Sequence, residues 1–451
     1  MHTAMNALLI LGLLALAAAP ARADISFTVT TTLDRVDDNP GNGSCHTVAN
    51  ACSLRAAIME ANRTLAPGTA RIVVPAGTYL LSRPINGANG DDSGDLNLTQ
   101  PNLAGQWIMI AGAGAGSTII DGGQLDRVIH VASNRGAILS DLTLRNGLAS
   151  GDGGGVLSEG GLNIRRSRIE GNRSGQSGGG VRSHQEFYLF DSVVSGNTAA
   201  NDGGGLYGSG AVEVRGSTIG GNAALGLGNG GGAYLTASST IIASTIHGNS
   251  ANNGGGLLAE SRMTLLNCTV STNAARGNGG GVYNFGLTHL LNTSVIDNDA
   301  DHDRDENGGI GGGVYAAAGE DRHLLVTNAL IARNTLFDSP IYNDCSGLLE
   351  AYGRNFFYDL DGCNIPNPGS GLVTLATIGP LQDNGGPTFT HALLAGSEAI
   401  DASASNFGCV DDGGEPLEVD QRSAGRPVGV RCDVGAFEFG GRIERFKNGF
   451  E

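Results

Sequence analysis

The sequence predicts an all-β protein, a right-handed parallel β-helix with one short capping helix near its amino end, and three observations carry that reading. A glycine triplet returns at Gly153, Gly178, Gly203, Gly230, Gly254, Gly279 and Gly311. An asparagine closes each phrase, at Asn172, Asn197, Asn222, Asn249, Asn273, Asn298 and Asn334. Both series step by 25, 25, 27, 24 and 25 residues before one longer final step. Two independent markers share a spacing when each turn of chain lies on its predecessor with a fixed path length. The third observation is the content of a phrase. Val181, Phe187-Tyr188-Leu189-Phe190 and Val193-Val194 are short β-branched and aromatic runs separated by Gly, Ser, Asn and Asp, with no helical period. Three short strands and three turns per phrase fit one rung, with rungs stacked at about 4.8 Å.

A leucine-rich repeat competes, because Ile164, Ser167, Ile169 and Asn172 sit at its spacing and its period overlaps this one. Its third position here is Ser167, Ser192, Ser217, Ser244, Cys268, Thr293 and Ala329, too small for a leucine core. Each phrase also opens with three glycines where the horseshoe needs a helix or a leucine-rich turn. The β-helix is the better account.

The chain has 451 residues, 74 of them Gly, with only 16% charged and a formal net charge of −17. A repeat array carries such a length as one continuous core. The acidic balance argues against a nucleic-acid or anionic-membrane partner. Lys447 is the single lysine, which disfavours any lysine base.

Residues 1–23 read as a secretory leader, with an apolar run from Ala7 to Ala18 and a small-residue cleavage site ending at Ala23. No later stretch is long and apolar enough for a membrane-spanning helix. The mature chain is expected to be a secreted, monomeric protein. Cysteine usage agrees: Cys45 and Cys52, Cys345 and Cys363, and Cys409 and Cys432 form three sequence-local pairs outside the regular repeats. Cys268 is left over in the small-residue file and reads as a buried thiol.

Residues 24–106 read as an amino-terminal cap with the first rungs. Phe27 to Thr32 is strand-like, and the run after Ser53 is a short amphipathic helix capped by that serine, with Leu54, Ile58 and Ala61 on one face. A helix laid over the open end of the coil hides unpaired edges and an apolar lumen. Residues 107–340 are the β-helix proper, 341–440 hold terminal rungs and a further module, and 441–451 form a polar tail. Cys52-Ser-Leu-Arg-Ala-Ala resembles the CSLREA segment at the front of bacterial surface β-helix proteins, with Ala56 where Glu is usual. Asp383-Asn-Gly-Gly-Pro-Thr388, Ser397-Glu-Ala-Ile-Asp401, Asp420-Gln-Arg422, Arg426-Pro427 and Cys432-Asp-Val-Gly-Ala-Phe-Glu438 are together similar to the choice-of-anchor Q module of such proteins. It departs at Ser423, where Gly is usual. The resemblance implies a pectate-lyase-like solenoid that is secreted or held at a bacterial cell surface.

Candidate chemistry is sparse. Asp37-Asp38, Asp91-Asp92 and Asp411-Asp412 are adjacent acids, but neighbours on a strand point apart and all three pairs sit in turn-like sequence. Asp301, Asp303 and Asp305 alternate in an insertion as in a calcium loop, without its glycine and closing glutamate; Arg304 and Arg322 are the arginines a lyase would want there. Ca2+ is the ion that such a loop would hold. The residue after the aliphatic that follows each triplet is Leu157, Arg182, Tyr207, Tyr234, Leu258, Tyr283 and Tyr315. Strand alternation turns this file outward, placing Tyr207, Tyr234, Tyr283 and Tyr315 on one face as a flat platform for sugar rings or a protein partner, hydroxyls in water. The closing asparagines are expected to form an amide ladder. The functional expectation is a non-catalytic β-helix in adhesion or in binding extracellular matrix glycan or a surface protein. The alternative is a polysaccharide lyase or glycoside hydrolase.

Overall fold

The computed structural model describes residues 25–63, 69–85, 90–99, 106–133, 135–303, 308–337, 342–366, 371–373, 376–404 and 408–443. The expected leader at 1–23 and the tail beyond 443 lie outside them.

One turn shows how the coil is made. Val181–Ser183, Phe187–Phe190, Val193–Ser195 and Thr198–Ala199 are four strands, each pairing in parallel with its counterpart one turn on. Alternation sends Val181, Phe187, Leu189, Val194 and Ala199 into the lumen, all at most 1% exposed. We name the four faces in that order the tyrosine, long-strand, docking and narrow faces. The register is that of the repeat: Val156, Val181, Leu206, Ala233, Leu257, Val282 and Val314 are successive partners. Three strands per turn were expected. The fourth is two residues long, too short to show as a periodicity, and exists because eight such pairs stack into a ladder.

The three glycines of a triplet are required for different reasons. Gly203 has φ 68°, in the left-handed region. A Cβ on Gly204 would lie 2.4 Å from the Ala223 carbonyl carbon, and one on Gly205 2.6 Å from the Gly232 carbonyl oxygen. The corner between the narrow and tyrosine faces closes backbone on backbone, with no room for side chains.

Two polar files line the inner corners. Each asparagine Oδ1 accepts the backbone N–H and side-chain amide of its neighbour one turn earlier: Asn197 donates both to Asn222, each at 3.0 Å, and Asn222 donates both to Asn249 at 2.9 and 3.0 Å. The second amide hydrogen goes to a lumen carbonyl, as from Asn222 to Val194 O at 3.0 Å. The ladder runs from Asn172 to Asn334 and ends on the Asp344 carboxylate. In the serine file, Ser192 N donates to Ser217 Oγ and Ser217 N to Ser244 Oγ, both at 3.1 Å, and Cys268 takes the next place, fully buried.

The capping helix, Leu54–Arg63, starts from Ser53, whose Oγ accepts the Ala56 N–H at 3.0 Å. Leu54, Ile58 and Ala61 are buried as expected, but so is the opposite face: nine of the ten residues are buried. The polar face is covered because neighbouring loops wrap it. Arg55, 1% exposed, pairs with Asp34 at 2.6 Å and donates to the Gly94 and Asp95 carbonyls, and Glu60 accepts the Gly41 and Gly43 amides. The Cys45–Cys52 disulfide ties this loop to the helix start.

At the far end, Cys345–Tyr352 is the last long strand, and Cys345 is bonded to Cys363. The chain then reverses. Ile378–Gln382 and Thr390–Leu393 form an antiparallel pair, and residues 394–404 and 408–443 run irregularly back along the docking face, stapled by Cys409–Cys432. Outward positions on that face change accordingly. Arg168 is exposed and Val193 half-buried, whereas Thr245, Thr269, Ser294 and Leu330 at the same register are at most 2% exposed. Ile296, Leu330, Ala332 and Phe356 meet Ile378, Leu393, Val434 and Phe437 in a second small core. No helix among the described residues is long and apolar enough to cross a membrane.

Candidate functional site

The tyrosine face carries the outward file that the repeat implies. Asn97, His130, Leu157, Arg182, Tyr207, Tyr234, Leu258, Tyr283, Tyr315 and Ser346 are successive partners along it. Tyr207 and Tyr234 stack at 4.9 Å between centroids, and Tyr283 and Tyr315 overlap at 4.8 Å with their planes tilted by 39°. Leu258, 6% exposed, separates the two pairs. The Arg182 guanidinium lies 3.7 Å over the Tyr207 ring, with its Nε 3.8 Å from Asp152.

Centroid separations equal to the rung spacing of about 4.8 Å mean that ring faces point along the coil axis. The expected flat platform is therefore corrected. Within each pair one ring overlaps its neighbour's face instead of lying beside it in one plane, which leaves ring edges along the strip. The expectation of solvated hydroxyls is also modified, since Tyr234 Oη donates a short hydrogen bond to Glu260. Burial raises the phenol pKa of Tyr207, Tyr234 and Tyr283, and Glu260 adds to the effect at Tyr234.

Two polar files border the rings. On one side Asn229 donates its backbone and side-chain N–H to Asp202 Oδ1 at 2.8 and 3.1 Å. Asn253 Nδ2 donates to Asn229 Oδ1 at 3.0 Å, and the Asn278 backbone to Asn253 Oδ1 at 2.9 Å. This second ladder went unread in the sequence, although it occupies the residue just before each of the first six triplets: Asp152, Ser177, Asp202, Asn229, Asn253 and Asn278, with Ile310 before the seventh. The other border contains His184, Glu260 and Phe285. Phe285 is 40% exposed, stacks at 6.4 Å on Tyr283 and lies 3.5 Å beneath Arg322. The strip thus offers ring edges, phenol hydroxyls, amides and carboxylates in repeating register.

The remaining candidates fall elsewhere. Asp301 is buried at 3% exposure and Asp303 lies 3.8 Å from Arg276; Asp305 and Arg304 are outside the described residues. Arg322 donates to Ala318 O besides covering Phe285. Among the described residues no three histidines, cysteines or acids are grouped to hold a metal ion. Asp37 and Asp411 each accept backbone N–H groups within their own turns. Asp91 pairs with Arg63 at 2.6 Å, and Asp412 bridges Arg262 and His289.

The strand register and the one helix among the described residues define the class: a parallel β-solenoid. A crystal structure of pectate lyase Pel9A is similar to this chain with a TM-score of 0.49 and 13% identity, over 92% of this chain and 97% of that one. No protein-family model matches the chain. No curated protein matches it.

Proposed function

We propose that this is a non-catalytic, secreted or cell-surface β-helix protein that holds an extracellular polysaccharide along its tyrosine face. The observation that carries the reading is the in-register file of Tyr207, Tyr234, Tyr283 and Tyr315, flanked by amide and carboxylate files with the same step. A repeating polymer meets a repeating surface, so contacts that are individually weak add along the strand. Phenol hydroxyls and ring edges suit sugar hydroxyls and C–H groups.

Three disulfides support an oxidising, extracellular setting. The finer relationships, to CSLREA-type front segments and the choice-of-anchor Q module, belong to the same proposal. What supports them is that the resembling residues are built into the fold: Arg55 into the cap, and Asp420, Gln421, Arg422, Arg426 and Glu438 into the docked segment.

The test is retention on a panel of immobilised bacterial and plant polysaccharides. Tyr207→Ala with Tyr234→Ala is expected to weaken retention about tenfold or more while the circular dichroism spectrum is kept. Undiminished retention by the folded double variant overturns the reading. Release of new chain ends from a soluble polymer would instead support the lyase or hydrolase alternative.

A further inference from the structure

A pocket of about 480 Å³ opens beside the capping helix, within the range of roughly 300–1,000 Å³ usual for small-ligand sites. Leu33 and Pro84 form its apolar rim, and Asp34, Arg35, Arg83 and Ser93 supply its polar wall. The carboxylate is already committed. Asp34 has a side chain 3% exposed, pairs with Arg55 through both oxygens, and accepts the Ser82 and Arg83 backbone N–H groups at 2.9 and 3.2 Å.

The cations are not. Arg35 is exposed and forms no ion pair with any described residue. Arg83 donates its Nε to the Asp92 carbonyl, and its terminal amino groups meet no described acceptor. Ser93 is 5% exposed, and its hydroxyl has no hydrogen-bond partner among the described residues. In a chain of net charge −17, two guanidinium groups with open donors and an unpartnered buried hydroxyl converge on one cavity.

We propose that this pocket binds an oxyanion, a carboxylate or sulfate, free or as the substituent of an acidic sugar. Planar guanidinium groups match such anions in pairs of hydrogen bonds, and the Ser93 hydroxyl supplies a further donor inside the cavity. The site is distinct from the tyrosine face and does not depend on that reading.

The experiment is calorimetric titration of the full chain with sodium sulfate and, separately, sodium glucuronate, at ionic strength held constant with chloride. Saturable binding of either probe is expected, weakened about tenfold in Arg35→Ala, because a charge-assisted hydrogen bond is lost. Arg35→Ala removes an exposed side chain and is expected to leave the unliganded melting temperature unchanged. Ser93→Ala is expected to weaken binding about threefold or more. Tighter binding of glucuronate than of sulfate makes a sugar acid the ligand, and the reverse makes it a simple anion; both support the site. Binding no stronger than that of chloride, or equal affinity in the parent and both variants, overturns it.

Discussion

Asn222 shows what a single side chain does in this coil. Its Oδ1 receives two hydrogen bonds from Asn197, and its Nδ2 reaches Val194 O and Asn249 Oδ1, with all four residues at most 1% exposed. Asn222→Ala strands two donors and an acceptor on the turn before it and removes a donor from Asn249 on the turn after, so a loss of about 2–5 kcal/mol is expected in denaturant unfolding. Cys268→Ser should change stability by less than about 1 kcal/mol, because a hydroxyl there continues the serine file. Burial pushes the Cys268 thiol up to about 12, so it should also resist alkylation in the folded protein. A large loss in Cys268→Ser with a small one in Asn222→Ala would reverse the roles assigned to the two files. Both files were legible because one letter, Asn, or one class of small residue recurs at the repeat step. The ladder from Asp202 through Asn278 was not, because its column keeps hydrogen-bonding capacity while changing letter, from Asp152, Ser177 and Asp202 to Asn229, Asn253 and Asn278. The tyrosines were read onto the correct face but not edge-on, since register fixes which way a side chain leaves the strand and not how neighbouring rings share their faces.

Among the elements, the capping helix and the docked carboxyl-terminal segment are held by buried polar pairs and not by apolar stripes alone. Arg426 pairs with Glu438 at 3.0 Å and reaches Asn267 on the coil, and Gln421 bridges Thr245 and Thr269. The motifs around these residues were legible, but their task was not, because Gln421 and Thr245 are 176 residues apart. A local signal existed: outward positions on the docking face change from Arg168 and Glu170 to Ser271, Ile296 and Ala332. His391 is the group through which this docking is expected to respond to pH. Its Nδ1 meets Gly379 O at 2.8 Å and its Nε2 meets Ser271 Oγ at 2.9 Å, an arrangement that uses the neutral ring as donor and acceptor. Burial lowers its pKa, with the Gly379 carbonyl and Asp297 opposing and Arg333 adding to the effect. A depressed histidine pKa means that its contribution to stability is present above the ordinary imidazole value and lost as pH falls through the lowered one. Asp433, raised to about 6 by burial, acts in the opposite sense, losing its contribution as pH rises. The comparison with His391→Gln isolates the histidine, since glutamine keeps a donor and an acceptor without titrating. Amide exchange over 378–393, corrected for intrinsic rates, is expected to be faster at about pH 5 than at about pH 7.5 in the parent and to show no such change in His391→Gln. Equal exchange at both pH values in the parent would remove the histidine from the account.

The coil as a unit is a set of vertical files, and its stability is a sum over turns and the contacts between adjacent turns. That property predicts what chain deletion does. Removing residues 178–202 joins Ser177 to Gly203 and takes out one complete turn. Every file then closes over the gap: Val156 meets Leu206, Leu157 meets Tyr207, Ile169 meets Ile219 and Asn172 meets Asn222, the partners that now lie two turns apart. The docked segment, which bears on turns from Thr245 onward, is untouched. This variant is expected to fold, with a parallel-β circular dichroism spectrum and a melting temperature within about 5 °C of the parent. The tyrosine pairs survive as well, so glycan retention should persist even though Arg182 is gone. Removing only residues 178–189 shortens the chain by half a turn. Asn172 then has no amide partner at its corner, and lumen side chains are turned toward solvent, as in any register slip. That variant should be insoluble or protease-sensitive. If both deletions fold equally well, or neither does, stability does not reside in turn-on-turn register, and the in-register tyrosine file loses its basis as a binding surface.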